Sequence, residues 1–292
     1  MEKYSIKDLE KLSGIKSQTI RVWERRFNIM KPSRTETNRR RYGDNQLRKI
    51  INISILQRNG FKISLIASLS DHEIEEKAAY LSKDTSQSDT QIDTLIKLTI
   101  THNENRINEL LVRSIINRGF EDTITKIALP FLNRFGIMWQ TGSADIGSEH
   151  FITNIIRNRI ILSIESLSVT KREGAKKFIL FLPENELHEI GLLYFTYIIK
   201  KAGHETLYLG QSTPLESVVS VNNRWKADFI VTGLMTGFPG FIPYDFLSQL
   251  SVSFPDSNVL VSGILSETAV RINLPNIFPV KSANDVRDHL PV

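Results

Sequence analysis

The feature that most constrains the fold is an alternation, beginning at Lys176, of short apolar runs with helix-length amphipathic stretches. Strands that alternate with helices are typical of βαβ units, in which a parallel sheet is covered by helices. The predicted strands are Phe178–Leu182, Thr206–Leu209, Phe229–Thr232 and Val259–Ser262. We therefore expect an open α/β domain over residues 173–292.

The rest of the chain divides into three segments. Residues 1–75, here called the head, are patterned as short helices, and residues 92–172, the helical segment, show helical periodicity with few strand signals. Residues 76–91 include the polar run KDTSQSDTQ, which predicts a linker. A chain of 292 residues is long enough for two or three such domains.

Composition excludes several classes of protein. No apolar run approaches the roughly 20 residues of a membrane span, and no signal peptide is visible. The chain has no cysteine, which excludes disulfides and thiolate metal sites. We expect a cytoplasmic protein that does not bind membranes.

Charge is distributed unevenly. Residues 1–62 contain 16 Lys/Arg and 6 Asp/Glu, a net charge of +10, whereas the remaining 230 residues contain 21 and 26, a net charge of −5. A basic head on a mildly acidic body indicates a polyanion site confined to the head. On charge alone, a solvated basic face explains the pattern equally well.

The head has the order helix, glycine, helix that is typical of a helix-turn-helix. Ser5 is a candidate N-cap of the first helix, and Gly14 is expected to end it. Ser17 is the candidate N-cap of a second helix that runs to about Phe27. Near the start of that helix, Gln18 would meet base edges in the major groove.

The second helix and the loop after it also offer phosphate contacts. Arg21 and Arg25 lie one turn apart and suit phosphates better than bases. The run Arg39-Arg40-Arg41-Tyr42 is a candidate wing against the DNA backbone. The predicted DNA-binding residues are therefore Ser17, Gln18, Thr19, Arg21, Trp23, Arg39, Arg40, Arg41 and Tyr42.

These residues resemble, in order and spacing, the head of the MerR family of transcriptional regulators. The matching strings are Tyr4-Ser5-Ile6, Leu9, Ser13-Gly14-Ile15, Thr19-Ile20-Arg21-Val22-Trp23-Glu24, Pro32, Arg41-Tyr42 and Asn59-Gly60-Phe61. The resemblance implies a winged helix-turn-helix that binds a double-stranded operator as a dimer. It also implies DNA contacts from Thr19, Arg21, Trp23 and the wing; the alternative is that Trp23 belongs to the core and the arginines only keep the head soluble.

The predicted loop after the first C-terminal strand carries a histidine in the pattern Glu186-x-His188-x-x-Gly191. An imidazole can coordinate a metal, and a nearby carboxylate can fix its tautomer and raise its basicity. Gly191 permits close approach of a ligand. Taken alone, His188 is more readily interpreted as an ordinary exposed loop residue.

The wider pattern resembles cobalamin-binding modules, whose signature is Asp-x-His-x-x-Gly and in which this chain has Glu186 for Asp. Further matches are Leu209–Pro214, Thr232-Gly233-Leu234 in place of Ser-x-Leu, and Ser262-Gly263 in place of Gly-Gly. The resemblance implies a flavodoxin-like Rossmann domain in which His188 is the lower axial ligand of cobalt. The implied cofactor-binding residues are Glu186, His188, Gly191, Thr232, Gly233, Leu234 and Gly263.

The helical segment carries Trp139 and, after nine intervening residues, Glu149-His150. This pattern resembles the helical cap of cobalamin-dependent photoreceptor regulators, the CarH/LitR-like group. The resemblance implies that a helical bundle covers the upper corrin face, with Trp139 near the adenosyl group and Glu149 and His150 beside it. The alternative is a plain bundle with a core tryptophan. Those photoreceptors often have histidine after the tryptophan, whereas this chain has Gln140, a poor cobalt ligand.

We expect a repressor and not an enzyme. Bound adenosylcobalamin would favour a homo-oligomer, a dimer or a tetramer, on the operator. This state would last until light removes the adenosyl group. One alternative is a cobalamin-independent regulator whose C-terminal domain serves oligomerisation or partner binding. Another is a corrinoid carrier for methyl transfer, against which the DNA-binding head and the lack of zinc thiolates argue.

Overall fold

The computed structural model describes residues 4–35, 38–81, 88–140, 144–168, 170–235, 241–266 and 274–290. The chain divides into two compact units, Met1–Ile155 and Ile156–Val292. Within the described ranges, no helix combines the length and the apolar character that crossing a membrane requires. The domain boundaries predicted from sequence stay a prediction.

The head begins with the two predicted helices, α1 (Ile6–Ser13) and α2 (Ser17–Phe27). Ser5 caps α1 in a reciprocal pair with Asp8, and Gly14 ends α1 in the left-handed conformation, at φ 73°, as predicted. The prediction that Ser17 is an N-cap is wrong, since Lys16 holds that position. The Ser17 hydroxyl instead donates to Glu10 and so ties the start of α2 to α1.

The predicted wing is a short antiparallel hairpin of β1 (Ser33–Arg34) and β2 (Arg40–Arg41). It is joined to the start of the chain by a bridge in which Tyr4 and Tyr42 exchange backbone hydrogen bonds. The remaining helices of the first unit, with α10 continuing into the second, are α3 (Asp44–Arg58), α4 (Ile63–Ile66), α5 (Asp71–Leu81), α6 (Ser88–Ile100), α7 (Glu104–Arg118), α8 (Phe120–Thr123), a π-helical turn (Ile124–Ala128), α9 (Leu129–Gln140) and α10 (Ile146–Glu165).

The predicted linker, residues 76–91, is largely helical. Its first part continues α5 to Leu81 and its last part begins α6 at Ser88, while residues 82–87 lie outside the described residues. Thr90 and Gln91 are buried, so the polar composition that predicted a linker includes side chains that pack inside the unit.

The head and the helical segment pack together inside the first unit. Helix α1 packs against α6 and α9, and α3 packs against α1, α5 and α6. Helix α3 is accordingly buried over most of its circumference, from Leu47 to Leu56, which is expected of a helix surrounded by others. The head is therefore part of a larger core.

The second unit contains the predicted α/β fold. Its elements are β3 (Lys177–Phe181), α11 (Ile190–Lys201), β4 (Glu205–Gly210), α12 (Leu215–Trp225), β5 (Phe229–Gly233), α13 (Pro243–Ser253), β6 (Asn258–Ser262), a 3₁₀ turn (Ile264–Ser266), β7 (Ile277–Pro279) and α14 (Ala283–Asp288). All four predicted strands are present. The sequence did not predict β7, which is three residues long and ends in proline.

The five strands are parallel in the order β4-β3-β5-β6-β7. Alternate residues of each strand face two separate apolar layers, with Ile179 and Phe181 in one and Phe178 and Leu180 in the other. This is the doubly wound, flavodoxin-like order. From β3, the chain first adds β4 on one side of the sheet and then adds β5, β6 and β7 on the other side, so the reversal point lies between β3 and β5. Ligands of such sheets bind where the loops after those two strands diverge.

Candidate ligand site and nucleic-acid interface

The histidine loop lies at that reversal point. Glu186 and His188 follow β3, and Thr232 and Gly233 end its neighbour β5. Leu234 and Met235 follow directly after β5. The two sequence patterns that were predicted to form one site therefore meet at the carboxyl edge of adjacent parallel strands.

A buried carboxylate orients His188. The Glu186 side chain is 1% exposed and the His188 side chain 56% exposed. Glu186 Oε1 lies 2.6 Å from His188 Nδ1 and accepts the His188 backbone N–H at 3.1 Å. Glu186 Oε2 accepts the backbone N–H of Met235 at 2.9 Å. One glutamate thus connects the loop after β3 to the loop after β5.

This contact sets the chemistry of the ring. When His188 donates its Nδ1 proton to Glu186, the lone pair of the imidazole is on Nε2, the nitrogen at the far edge of the ring. A carboxylate on the donor nitrogen makes the other nitrogen a better metal ligand and restricts ring rotation. The pair therefore presents a largely exposed imidazole whose Nε2 can act as a metal ligand.

Further hydrogen bonds hold the loop from the side of β4. The backbone N–H of Asn185 donates to Ser212 Oγ at 3.1 Å, and the backbone N–H of Ser212 donates to the Glu186 carbonyl at 3.2 Å. Gln211 Nε2 donates to the Leu187 carbonyl at 2.6 Å. Residues 209–214, noted in the sequence only for their resemblance, thus shape the backbone around His188.

Sequence reasoning missed the role of Glu189. Its carboxylate is nearly buried, accepts from Arg157 Nε of α10 at 2.5 Å and accepts from the Tyr208 hydroxyl of β4. Burial and the Glu189 carboxylate together raise the pKa of Tyr208 above its usual range, so the phenol stays a donor. Because the partners are 32 and 19 residues from Glu189 in sequence, no local pattern could indicate them.

Three glycines near the site differ in how much room a side chain would have. A Cβ on Gly263, where φ is 96°, would lie 2.4 Å from the Leu234 carbonyl oxygen, so the fold itself requires glycine. A Cβ on Gly191 would meet no atom of the described residues within 4 Å, apart from its chain neighbours and the backbone of its own helix. On Gly233 it would lie 3.0 Å from Leu182 Cδ2, an intermediate case.

The carboxyl edge also exposes large apolar side chains. They belong to the loops after β3, β5 and β6 and to the start of α13, and they are Leu187, Met235, Ile242, Tyr244 and Ile264. The Thr232 side chain is fully buried at the same edge, and its Oγ1 has no hydrogen-bond partner among the described residues. Exposed apolar surface of this kind, beside an oriented imidazole, is typical of a ligand site.

In the helical segment, Trp139 is 45% exposed near the end of α9, which contradicts the alternative that it is a core residue. Glu149 and His150 lie in the first turn of α10. Glu149 Oε1 accepts from Thr153 Oγ1 at 2.8 Å, and His150 Nε2 lies 3.7 Å from Glu149 Oε2. The side chain of Gln140 lies outside the described residues.

The exposed face of the head carries most of the predicted DNA contacts. Gln18, Arg21, Arg25 and Arg39 are exposed, and Thr19, Ser17, Arg40 and Arg41 are half-buried. Ser17 and Arg40 already have partners within the head, Glu10 and Glu24 respectively. Their DNA contacts stay predictions.

Trp23 and Tyr42 do not fit the prediction that they contact DNA. Trp23 is 7% exposed and Tyr42 is fully buried, so both belong to the core of the head. The Tyr42 hydroxyl donates to Glu24 Oε1 at 2.6 Å, and Arg40 Nε donates to Glu24 Oε2 at 3.1 Å. Glu24 thereby fastens the wing to α2, a role that sequence reasoning did not assign.

Comparisons with known proteins agree with this geometry. The model of the MerR HTH family regulatory protein matches residues 4–73. The chain is 25% identical over 240 residues to the HTH-type transcriptional repressor CarH of Myxococcus xanthus, a match that covers 80% of this chain and 78% of CarH. It is 23% identical over 227 residues to CarA of the same organism, covering 77% and 74%.

Among solved structures, the monomethylamine corrinoid protein of Methanosarcina barkeri is similar with a TM-score of 0.56, covering 67% of this chain and 94% of that protein. The sequence identity is 16%, so this likeness concerns the fold. The chain thus combines a region that matches the MerR HTH family model with an α/β domain that has the fold of the monomethylamine corrinoid protein, and it is similar in sequence to the repressors CarH and CarA.

Proposed function

We propose that this protein is a repressor controlled by adenosylcobalamin and that His188 would coordinate the cobalt of that cofactor. The observation that carries the proposal is the 2.6 Å contact between His188 Nδ1 and the buried Glu186 carboxylate at the reversal point of the sheet. A protein that only oligomerised through this surface would have no need of an imidazole oriented by a buried charge. Burial of an unpaired carboxylate is energetically costly, so the Glu186 carboxylate depends on its hydrogen bonds, including the one to His188.

The surroundings of His188 support a corrin as the ligand. The apolar side chains at the carboxyl edge suit the face of a large macrocycle, and the buried Thr232 hydroxyl offers a polar partner to the nucleotide tail. The open space at Gly191 provides room beside the first turn of α11. When bound, adenosylcobalamin would supply a cobalt–carbon bond that light can break.

The helical segment supports a specific assignment of further residues. We assign the upper side of the corrin to Trp139, whose exposed ring would shield the adenosyl group, and to Glu149 and His150 at the start of α10. Allosteric control requires unequal affinity of the cofactor for two states of the protein. In the proposed mechanism these side chains would provide that difference, because they would contact the cofactor only while its adenosyl group is present.

Repression would follow from assembly. Several linked heads bind one operator more tightly than a single head because the second binding event is intramolecular. The adenosyl-bound state would favour the dimer or tetramer that presents several heads, and light would return the protein to smaller species that release DNA. In related photoreceptors a second histidine can bind cobalt once light has removed the adenosyl group. Gln140 stands at that position here and is a poor cobalt ligand, so the light-exposed state would lack this second contact.

The cobalt ligand can be tested by electron paramagnetic resonance of purified protein loaded with cob(II)alamin. Coordination by His188 predicts that the axial nitrogen splitting, a triplet with ¹⁴N, becomes a doublet when the protein is labelled with ¹⁵N. His188→Ala should abolish that doublet, whereas the control His72→Ala, at a side chain 79% exposed in the head, should retain it. A triplet in labelled wild-type protein would show that the vitamin's own base is the ligand.

The regulatory claim needs DNA. Electrophoretic mobility of operator complexes, with adenosylcobalamin in darkness and after green light, should show slow complexes only in darkness. Identical complexes in both conditions would refute the light response. Complexes that form equally well without any cobalamin, together with loss of the vitamin on desalting, would favour the cobalamin-independent regulator instead.

A further inference from the structure

A buried charge cluster joins the head to the helical segment inside the first unit. Asp93 of α6 has a fully buried side chain. Its Oδ1 accepts from Arg134 Nη1 of α9 at 2.6 Å, and its Oδ2 forms an ion pair with Arg58 Nη1 of α3 at 3.1 Å. Ser54 Oγ of α3 lies 3.3 Å from the same Oδ2. We refer to Ser54, Arg58, Asp93 and Arg134 as the Asp93 cluster.

On the head side, the cluster reaches the turn between α1 and α2. Ser54 Oγ donates to the carbonyl of Ser13 at 2.7 Å. A Cβ on Gly14 would lie 3.0 Å from Arg58 Nη2, so the guanidinium packs directly against the turn. Ser13 and Gly14 end α1 and thereby set where α2, the helix with the candidate base contacts, begins.

On the other side, the cluster reaches the helix that carries Trp139. Arg134 and Trp139 lie five residues apart on α9, and α1 packs against the same helix. A displacement of α9 would pull Arg134 from a carboxylate that water cannot reach. The carboxylate would then depend on Arg58 alone, and the position of Arg58 against Gly14 would change with it.

Burial makes this contact energetically different from the surface ion pairs of the same unit. Exposed pairs such as Arg113–Glu109 contribute little because water competes for both charges. Removing one partner of a buried ion pair is far more disruptive, since the remaining charge stays desolvated. Burial raises the pKa of the Asp93 carboxyl, and the guanidinium groups of Arg134 and Arg58 oppose that rise.

We propose that Asp93 is a positioning residue for the helix-turn-helix: through Arg58 and Ser54 it holds the Ser13–Gly14 turn, and through Arg134 it ties that turn to α9. The head and α9 then move as one body, and a change at the Trp139 end of α9 is transmitted to the start of α2. The inference does not depend on which ligand binds the protein, because every contact lies within residues 13–134.

Hydrogen–deuterium exchange on the full chain tests this coupling without DNA or cofactor. Arg134→Met removes one of two cations from the cluster and leaves Asp93 paired with Arg58, so the buried charge keeps a partner. We expect exchange of the amides of residues 13–20 to become about tenfold faster or more, although residue 134 is far away in sequence. The matched control Arg113→Met, which breaks an exposed pair on α7, should leave those amides unchanged.

Two further readouts separate coupling from general instability. The amides of β3 lie in the other unit and should exchange at the wild-type rate in Arg134→Met; if they accelerate as much as those of residues 13–20, general instability accounts for the change and the proposal fails. Arg134→Lys keeps a positive donor and should restore protection at residues 13–20 at least in part. Faster exchange confined to α6 and α9, with residues 13–20 unchanged, would overturn the proposal.

Discussion

At the scale of single residues, Gly191 and Gly263 show how a fold requirement can be distinguished from a ligand requirement. Gly263 has a positive φ of 96° and no room for a Cβ against Leu234. Gly191 lies in the first turn of α11, and among the described residues none outside its own helix lies near the place a Cβ would occupy. The fold therefore requires glycine at position 263 and does not require it at position 191, where we propose that the cofactor binds.

Gly191→Ala should fold at least as well as wild type, because alanine lowers the entropy of the unfolded chain at a site without strain, by about 0.4–1 kcal/mol. The same methyl group would enter the open space proposed for the cofactor beside the first turn of α11 and weaken adenosylcobalamin binding. Urea denaturation of the cofactor-free protein and a spectroscopic binding titration would measure the two effects. Unchanged affinity would remove Gly191 from the site.

Gly263→Ala should have the opposite pattern. The forced conformation and the 2.4 Å approach to Leu234 predict a loss of about 1–3 kcal/mol in the free energy of unfolding. Displacement of Leu234 would also move the Met235 N–H from Glu186. Urea denaturation without cofactor should reveal this loss, and wild-type stability would contradict the close approach.

At the scale of elements, the head shows what a local pattern can and cannot predict. The bounds of α1 and α2 follow from Ser5, Gly14 and the apolar spacing between them. The burial of Trp23 can also be predicted from sequence, since Trp23 lies three residues after the buried Ile20 on the same helical face. The attachment of the wing by Glu24 cannot be predicted in this way, because Glu24 and Tyr42 are 18 residues apart.

The exposed arginines of α2 predict a measurable change in salt dependence. Arg21→Ala and Arg25→Ala each remove one candidate phosphate contact, so each should reduce the slope of log affinity against log salt by about 0.9. Fluorescence anisotropy of a short DNA duplex across a potassium chloride series measures that slope. Arg113→Ala, an equal change of charge outside the head, should leave it unaltered, and an equal effect of all three would refute the assignment.

At the scale of the whole molecule, the sheet could be predicted from sequence and the packing of the head could not. Four strands alternate with helices in a pattern that dictates a parallel α/β layer. The contacts of Asp93 with Arg58 and Arg134 span 35 and 41 residues and leave no periodic trace. Polar Thr90 and Gln91 were assigned to a linker for the same reason, since composition does not reveal a buried polar side chain.

The stability of the second unit should depend on pH through His204. This side chain is 5% exposed and its Nδ1 accepts the Lys176 backbone N–H at 3.1 Å. Burial, and to a lesser degree Arg172, lower its pKa below the usual value. The unfolded chain then binds the proton more tightly, so this stability is fully present above about pH 6.5 and is lost as pH falls through the lowered pKa.

His204→Asn tests this expectation, because asparagine can still accept the Lys176 N–H but does not titrate. Urea midpoints followed by circular dichroism from about pH 7.5 to 5.5 should decline less in the variant than in wild type. An equal decline in both proteins would assign the pH dependence to other groups.

The packing of α1 and α3 on α6 and α9 has a consequence for the exchange of domains between such regulators. A DNA-binding head is often regarded as a cassette, a domain that recombination can transfer from one sensor domain to another. Here two of the four side chains in the Asp93 cluster, Ser54 and Arg58, belong to the cassette and the other two, Asp93 and Arg134, to its recipient. A foreign head grafted at residue 75 would bury Asp93 without its Arg58 partner, so a graft that keeps the Asp93 cluster intact has to exchange the chain at least through α9.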